Sequence, residues 1–392
     1  MVLSELLLAL KKELEFQARR RAELMREVSE IETELKRFGI SESGDFTARI
    51  DRLSGYVLTE IKRLSNEGKQ LTPDQLTNVV YRGGIAEAKK LVLKHTSKFR
   101  HLVFLFDNID KGWATDGVDE LDVRLVRLLL ESLEKVKRDL AVDRCDLLFV
   151  VFLRNDVFEL MVSGTPDKGK ASVIRIYWTD RVKLRQVIHQ RLQASVTEQA
   201  RNFNELWTRF FVPTVDGRET FEYFIDHCLM RPRFLIAIIE AAISNAIDRR
   251  HDRVEEEDCR SAVEQNSSKV LNDFSYELRD VSGASEDVLN SLVGTTRFVT
   301  KEEILARFEK AKIIEKGDEE KLFRYMLWYG ILGVINRNNL ELYIYDFDYN
   351  INRLQAEVST QDDEPLYAFN PAIHTALKTK GPQSGSFSYS TD

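Results

Sequence analysis

The sequence predicts a mostly helical protein built around an incomplete parallel α/β sheet, with an all-helical segment and a helix-plus-hairpin domain behind it. Three observations lead there. Two continuously apolar runs, His101–Phe106 and Asp146–Leu153, each end in polar residues, as strands buried on both faces do. Amphipathic helical segments alternate with these runs as far as about residue 198, the pattern of parallel strands joined by crossover helices. Nothing N-terminal to His101 reads as a buried strand, so the sheet has fewer members than the architecture needs.

Composition frames the rest. Among 392 residues, 43 % hydrophobic and 31 % charged is the balance of a soluble, core-forming chain with room for two to four domains. No apolar run approaches the roughly 20 residues that a membrane helix requires. The apolar start at Met1–Leu10 carries Glu5 and no basic leader, which argues against a signal peptide and for a cytoplasmic protein. Cys145, Cys228 and Cys259 have no metal-ligand spacing and read as reduced thiols. A net charge of −7 gives no global reason to expect nucleic-acid binding.

The order of elements follows from periodicity and punctuation. Residues 3–38 read as one long helix with a broken heptad at Leu10, Leu14, Leu24, Val28, Ile31 and Leu35, interrupted at Gln17 and Arg21 and stopped by Gly39. Packing of this stripe on its own domain is preferred over a coiled-coil arm. Helices over about 46–66, 73–80 and 84–98 complete a helical N-terminal segment, 1–98. An α/β core over 99–204 then runs strand 101–106, helix 119–140, strand 146–153, helix Asn155–Val162, a third strand Val173–Trp178 and helix Asp180–Glu198. Residues 205–283 read as helical throughout. Three short helices near 285–293, 300–309 and 318–330 and a hairpin around Arg337-Asn338-Asn339 give the winged-helix order over 284–378. A Gly- and Ser-rich tail over 379–392 reads as disordered.

The stretch with most chemical content is Leu102–Asp110. Its apolar residues bury a strand whose C-terminal end delivers Asp107, Asn108 and Asp110 to the edge where ligands bind in such sheets. Phosphoryl transfer needs one carboxylate to hold Mg²⁺ and a second polar group to orient the attacking water. Asp107 suits the first role; Asp110, or else Asn108, suits the second. A strand-end turn without chemistry would show the same residues.

The segment Asp107-Asn108-Ile109-Asp110-Lys111-Gly112-Trp113 resembles the acidic-strand (Walker B) signature of STAND, KAP and Orc/Cdc6-like AAA+ P-loop ATPases. The strand ending in Arg154-Asn155-Asp156 resembles their sensor 1. Tyr177-Trp178-Thr179-Asp180 and the following helix to Arg191 resemble their W-x-D segment, and Met230-Arg231-Pro232-Arg233 resembles their arginine-bearing lid motif. The order of these motifs covers about 100–375. The resemblance implies ATP and Mg²⁺ as ligands in the complete protein. Asp107 would hold Mg²⁺, Asp110 would position water, Arg154 or Asn155 would sense the γ-phosphate, and Arg231 and Arg233 would couple the lid. It implies a nucleotide-dependent switch of the kind used in prokaryotic antiviral defence, acting through self-association or an effector protein. The rival reading is a non-hydrolysing winged-helix regulator or scaffold.

No stretch supplies the phosphate cradle. Gly164-Thr165-Pro166-Asp167-Lys168-Gly169-Lys170-Ala171 nearly matches G-x-x-x-x-G-K-[ST]. It has Ala where the Mg²⁺-binding hydroxyl belongs, lies between a helix and a strand in the wrong order, and follows the acidic strand. Gly68-Lys69 and Gly83-Gly84 have no fitting flanks. In the family's 5-1-4-3-2 sheet the cradle strand sits between the counterparts of Asp146–Leu153 and Val173–Trp178. The expectation is therefore a fragment, a site completed by a separate polypeptide, or a degenerate relative, the first being preferred.

The remaining candidates have simpler readings. Trp113 and Trp178 suit packing, while His189, His227 and His374 sit singly and suit structural roles. Glu255–Asp258 reads as a solvated helix face. The presumed recognition helix at 318–329 starts acidic and is aromatic, so DNA contact through Arg297, Lys301 and Arg337 is not favoured.

Overall fold

The computed structural model describes residues 2–37, 40, 46–65, 72, 85–96, 99–107, 109, 120–140, 146–163, 173–197, 202–311, 318–359 and 364–380. The chain divides into two compact units, Met1–Trp113 with Val118–Lys170, and Ala171–Asp392 with Ala114–Gly117. The chain is mostly helical, with small sheets. No helix among the described residues is long and apolar enough to cross a membrane.

The first unit opens with α1 (Val2–Ala18) and α2 (Met25–Arg37), separated by a 3-10 turn at Ala22–Leu24. The single helix expected over 3–38 is thus two, broken beside the Gln17 and Arg21 interruption. Folding back lets Leu6, Leu10 and Leu14 of α1 share one core with Val28, Ile31 and Leu35 of α2. One straight helix could not bring those two stripes together. α3 (Phe46–Ser65) is tied to α1 through Arg49, which donates from Nε and Nη2 to the Glu5 carboxylate at 2.7 Å each. α4 (Ala86–Thr96) adds Ala88 and Val92 to the same core. The expected helix at 73–80 lies outside the described residues.

β1 (His101–Phe106) and β2 (Asp146–Val151) form a two-stranded parallel sheet, with His101 opposite Asp146 and Phe106 opposite Val151. The connection runs through α5 (Glu120–Leu140), whose Leu129, Leu133 and Leu140 join the core against Phe106 and Leu147. α6 (Asn155–Ser163) follows β2 directly. The third strand expected at Val173–Trp178 does not form, since those residues pair with no strand among the described residues. An apolar β-type sequence becomes a strand only where a neighbouring backbone offers donors and acceptors, and no described strand pairs with it.

The second unit starts with α7 (Arg181–Ser195) and α8 (Phe203–Phe210). The stretch read as wholly helical then contains a hairpin, β3 (Thr214–Val215) and β4 (Arg218–Glu219). Its turn places Asp216 at φ 50° and Gly217 at φ 78°, the two left-handed positions that an Asp-Gly pair accommodates. α9 (Thr220–Asp226), α10 (Pro232–Arg249) and α11 (Glu256–Ser282) complete the helical part. Its core is aromatic: Trp207 stacks on Phe211 at 3.8 Å, and Phe221 packs edge-on against Phe203 and Trp207.

Behind this lie a 3-10 segment at Val288–Leu292, β5 (Phe298–Val299), α12 (Lys301–Ala311), α13 (Glu319–Tyr329), β6 (Leu332–Ile335) and β7 (Glu341–Leu342). The hairpin around 337–339 is present, whereas the first of the three expected helices is only the 3-10 segment. α14 (Ile351–Ser359) and β8 (Tyr367–Phe369) are additional, and β8 inserts centrally to give an antiparallel order β5-β8-β6-β7. α13 buries Leu322, Phe323, Met326, Leu327 and Tyr329, so its aromatic body is core.

Gly333 on β6 explains the tight approach of the strand to its neighbour. A Cβ there would meet the Leu342 carbonyl oxygen and the Tyr343 ring at 2.7 Å. Gly333→Ala should therefore destabilise the protein by about 1–3 kcal/mol, the usual cost of overpacking. Chemical denaturation followed by circular dichroism checks this, and an unchanged midpoint contradicts the close approach.

Candidate functional site

The acidic end of β1 and the end of β2 emerge at one edge because the strands are parallel and in register. The ladder continues one step past the strand, with Phe152 N–H donating to the Phe106 carbonyl at 2.9 Å. Asp107 is exposed immediately after that carbonyl. Arg154 and Asn155 follow Phe152 by two and three residues, at the start of α6. Arg154 is partly buried, and its carbonyl accepts from Phe158 N–H at 3.0 Å to open the helix. The Asn155 amide nitrogen is buried and finds no hydrogen-bond acceptor among the described residues. A buried amide donor without a partner carries a desolvation cost, of order 1–3 kcal/mol, that a ligand oxygen could relieve. Asp110 and Asn108 lie outside the described residues, as do Trp113, the Gly164–Ala171 loop, Gly68-Lys69, Gly83-Gly84 and the tail from 381. The structure thus brings Asp107, Arg154 and Asn155 to one sheet edge.

The two arginines of the lid motif sit in the second unit and differ sharply. Arg231 is the residue before α10, preceded by Leu229 and Met230 at φ 51° and 53°. Two consecutive left-handed residues without glycine store strain of order 1–3 kcal/mol each, and both are buried, which holds them there. The turn aims Arg231 at Glu277 of α11, with Nη1 and Nη2 donating at 2.9 and 3.3 Å. Its guanidinium also lies over the Phe274 and Phe234 rings, at 4.8 and 5.6 Å from their centroids. Burial opposes its charge, but Glu277 outweighs burial and raises its pKa. Arg231 is therefore engaged in joining α10 to α11. Arg233 is 72 % exposed and pairs with Asp273 at 3.3 Å, so of the two it is the guanidinium that faces solvent.

Other sequence candidates also find structural partners. Asp180 caps α7, accepting from Val182 N–H at 2.8 Å. Arg181 bridges to Glu222 and Asp226 at 2.6 and 3.2 Å, and Arg185 meets Glu222 at 2.9 Å, tying α7 to α9. His227 and His374 each hydrogen-bond a backbone carbonyl at 2.7 Å, Tyr223 and Phe369 respectively. Burial lowers the pKa of both, that of His374 to about 4, so each is neutral and donates. Burial pushes Cys228 and Cys259 up to about 12, which rules out thiolate chemistry at neutral pH. Among the candidate DNA contacts, Arg297 pairs with Glu341, and Lys301 with Glu320 at 2.7 Å.

Glu255–Asp258, expected as a solvated face, is instead the N-terminal lock of α11. Asp258 is fully buried and accepts from Arg249 Nη1 at 2.6 Å, His251 Nδ1 at 2.7 Å and Glu255 N–H at 2.9 Å. It closes a capping box with Glu255. His251, Glu257 and Asp258 place possible metal-ligand atoms within 4.8 Å of one another. Both Asp258 oxygens already accept hydrogen bonds, so the cluster is a cap. The signal in the sequence was an acidic residue three positions into a helix, with a basic pair, Arg249 and His251, just upstream.

Comparison with known proteins adds one local assignment. Residues 182–275, from α7 into α11, match the family model described as the FunZ-associated C-terminal helical domain. A protein of Escherichia coli (strain K12) named for transposon gamma-delta, of 80.3 kDa, is 21 % identical over 228 residues, or 57 % of this chain. The chain spans 31 % of the length of that relative. The crystal structure of Cdc6p from Pyrobaculum aerophilum aligns over 85 % of this chain and 76 % of its own. Its TM-score is 0.28 and its identity 13 %, a likeness that fixes neither fold nor activity.

The cap has a pH signature. Desolvation would raise the Asp258 carboxyl, but bonds from His251, Glu255 and Arg249 overcome it and lower its pKa; the Asp258 bond raises that of His251. The Asp258 contribution is present above about pH 4 and lost as pH falls through its lowered pKa. The His251 contribution is full below about pH 6.5 and lost as pH rises through its raised value. The melting-temperature gap between wild type and His251→Gln should be widest near pH 5–6 and close toward pH 9, measured by thermal unfolding. A gap independent of pH contradicts the assignment.

Proposed function

We propose that this chain is part of a nucleotide-dependent switch ATPase whose Mg²⁺ and water side is encoded here and whose phosphate cradle is not. The observation that carries this reading is the shared edge of the parallel β1–β2 pair. An exposed carboxylate, Asp107, follows β1 at the edge where Arg154 and Asn155, whose amide nitrogen has no partner among the described residues, follow β2. A carboxylate at a strand end suits Mg²⁺, and an amide or guanidinium one strand away suits the γ-phosphate oxygens. The resemblance of 102–110, 148–156 and 230–233 to the acidic strand, sensor 1 and lid of AAA+ and STAND ATPases points the same way. Asp110 is assigned to the attacking water on that resemblance alone.

The second unit supplies the mechanical part of the proposal. The lid role is assigned to Arg233 on the resemblance alone, since Arg231 is engaged by Glu277 and ties α10 to α11. The four-stranded sheet with α12 and α13 is read as a winged-helix-like regulatory module. Two of its three candidate DNA contacts, Arg297 and Lys301, are drawn into acid pairs with Glu341 and Glu320, which favours a protein contact over DNA. Output passes to a partner copy or an effector protein.

Two measurements test the reading. Isothermal calorimetry of purified 1–392 with Mg·ATP should show no micromolar binding, because the loop that cradles phosphate is missing. Asp107→Ala in the complete protein should abolish ATP hydrolysis, by 100-fold or more if it holds the metal, an order typical of lost transition-state charge stabilisation. Tight binding by 1–392, or full activity of Asp107→Ala, contradicts the proposal.

A further inference from the structure

α5 carries two apolar stripes, and the core uses one of them. Val126, Leu129, Leu133 and Leu140 are buried, and the last three pack with Phe106 and Leu147. Leu121, Leu125 and Leu128 stay 60 %, 54 % and 47 % exposed. At about 100° per residue these three fall on one line, about a quarter-turn around the helix from the buried stripe. Their spacing, four residues and then three, is continued by exposed Ser132 and Lys135. That is the repeat of a helix that packs along a second helix. The next step reaches Asp139, which is paired with Lys89 of α4 at 3.0 Å. The open stripe therefore runs from Leu121 to Lys135, about 21 Å of helix.

The charges beside the stripe select its partner. Arg124 and Glu131 are both exposed and lie on one flank of it, two turns apart. Arg127 does not compete, since it donates to the Met161 carbonyl at 3.2 Å. The other flank holds Leu129 and Val136, which belong to the core. A second copy laid parallel and in register would set Arg124 and Glu131 against that apolar flank, with no opposite charge to meet. Laid antiparallel, with a two-fold axis beside Arg127 and Leu128, it sets Arg124 against Glu131 of the partner subunit and Glu131 against the partner subunit's Arg124. The stripe is thus complementary to itself in one orientation, as the contact of a two-fold dimer must be.

We propose that the Leu121–Leu125–Leu128 stripe is the contact between two copies of this chain, paired antiparallel about a two-fold axis. The leucines supply the apolar contact. The reciprocal Arg124–Glu131 pairs fix direction and register more than they add affinity, because exposed ion pairs are individually weak. Four turns of helix make a small interface, so the dimer is reversible and depends on concentration. The contact involves neither Asp107 nor Arg233 and stands apart from the nucleotide reading, whose failure would leave it intact.

Sedimentation velocity of purified 1–392, without nucleotide, tests the proposal. A dimer should form at about 100 µM, and Leu125→Glu should abolish it. Arg124→Glu or Glu131→Arg alone sets like charges against each other and should weaken the dimer at least 10-fold. The double swap Arg124→Glu/Glu131→Arg should restore it to within about three-fold, and an equimolar mixture of the two single variants should form a mixed dimer. The three substituted positions are exposed, so circular dichroism should report wild-type folding. Under mild oxidation Leu128→Cys, beside the axis, should link to its counterpart, whereas Leu121→Cys should not. A monomer at every concentration overturns the proposal, and is the result expected if other residues or another protein cover the stripe. A dimer that survives Leu125→Glu, or that the double swap fails to restore, overturns it too. So does self-linking by Leu121→Cys as efficient as that by Leu128→Cys, which marks a parallel pair.

Discussion

The parallel register of β1 and β2 sets the position of every chemically relevant group in the first unit. Parallel pairing brings two strand ends, separated by α5, to one edge, so Asp107 stands one strand away from Arg154 and Asn155. A slip of one residue would turn Phe106 and Leu147 out of the core and move Asp107 off that edge. What resists the slip is the one-sided burial of Phe106 and Leu147 against α1, α4 and α5. The same one-sidedness leaves the other face bare. The positioning of the acidic side of the site and the exposure of the opposite face therefore have a single origin.

The second unit is organised by buried charge. Asp258 gathers Arg249, His251 and a backbone N–H at the start of α11, and Glu277 holds Arg231 further along the same helix. Removing one partner of such a group leaves a buried charge uncompensated, which costs more than the pair contributes. α10 and α11 are thus joined at two places. The strained Leu229-Met230 turn fixes where the first of those joints falls. The Asp258 joint lies within the stretch that matches a known helical domain, residues 182–275, and the Glu277 joint just beyond it.

Much of the architecture was legible in the sequence, for identifiable reasons. The runs at 101–106 and 146–151 are apolar at nearly every position, and α5 shows a clean amphipathic stripe, so local pattern and tertiary role agree. The break between α1 and α2 was visible only as an irregularity at Gln17 and Arg21, because both halves carry the same stripe. The segment at 173–178 misled for a physical reason: β-propensity reports fit to a neighbour, and none of the described strands is its neighbour. β5 and β8 are too short to show a period, and their pairing spans about seventy residues of sequence. At the site, Asp107, Arg154 and Asn155 could be picked from strand ends. Whether Arg231 or Arg233 faces solvent depended on Glu277, 46 residues further on, and on nearby Phe274, which no local pattern encodes.

The central claim is that β1 and β2 form the outer part of a larger sheet that carries half of a nucleotide site. Native-state hydrogen exchange tests it most directly, comparing backbone amides of Leu102–Phe106 and Leu147–Val151 in purified 1–392 and in the complete protein. Amides at a bare two-stranded edge open locally and exchange fast, and those inside a completed sheet are protected up to the global stability. The account predicts weak protection of one or both strands in 1–392 and at least 100-fold slower exchange in the complete protein. Equal, strong protection in both would show a sheet already complete and would contradict it.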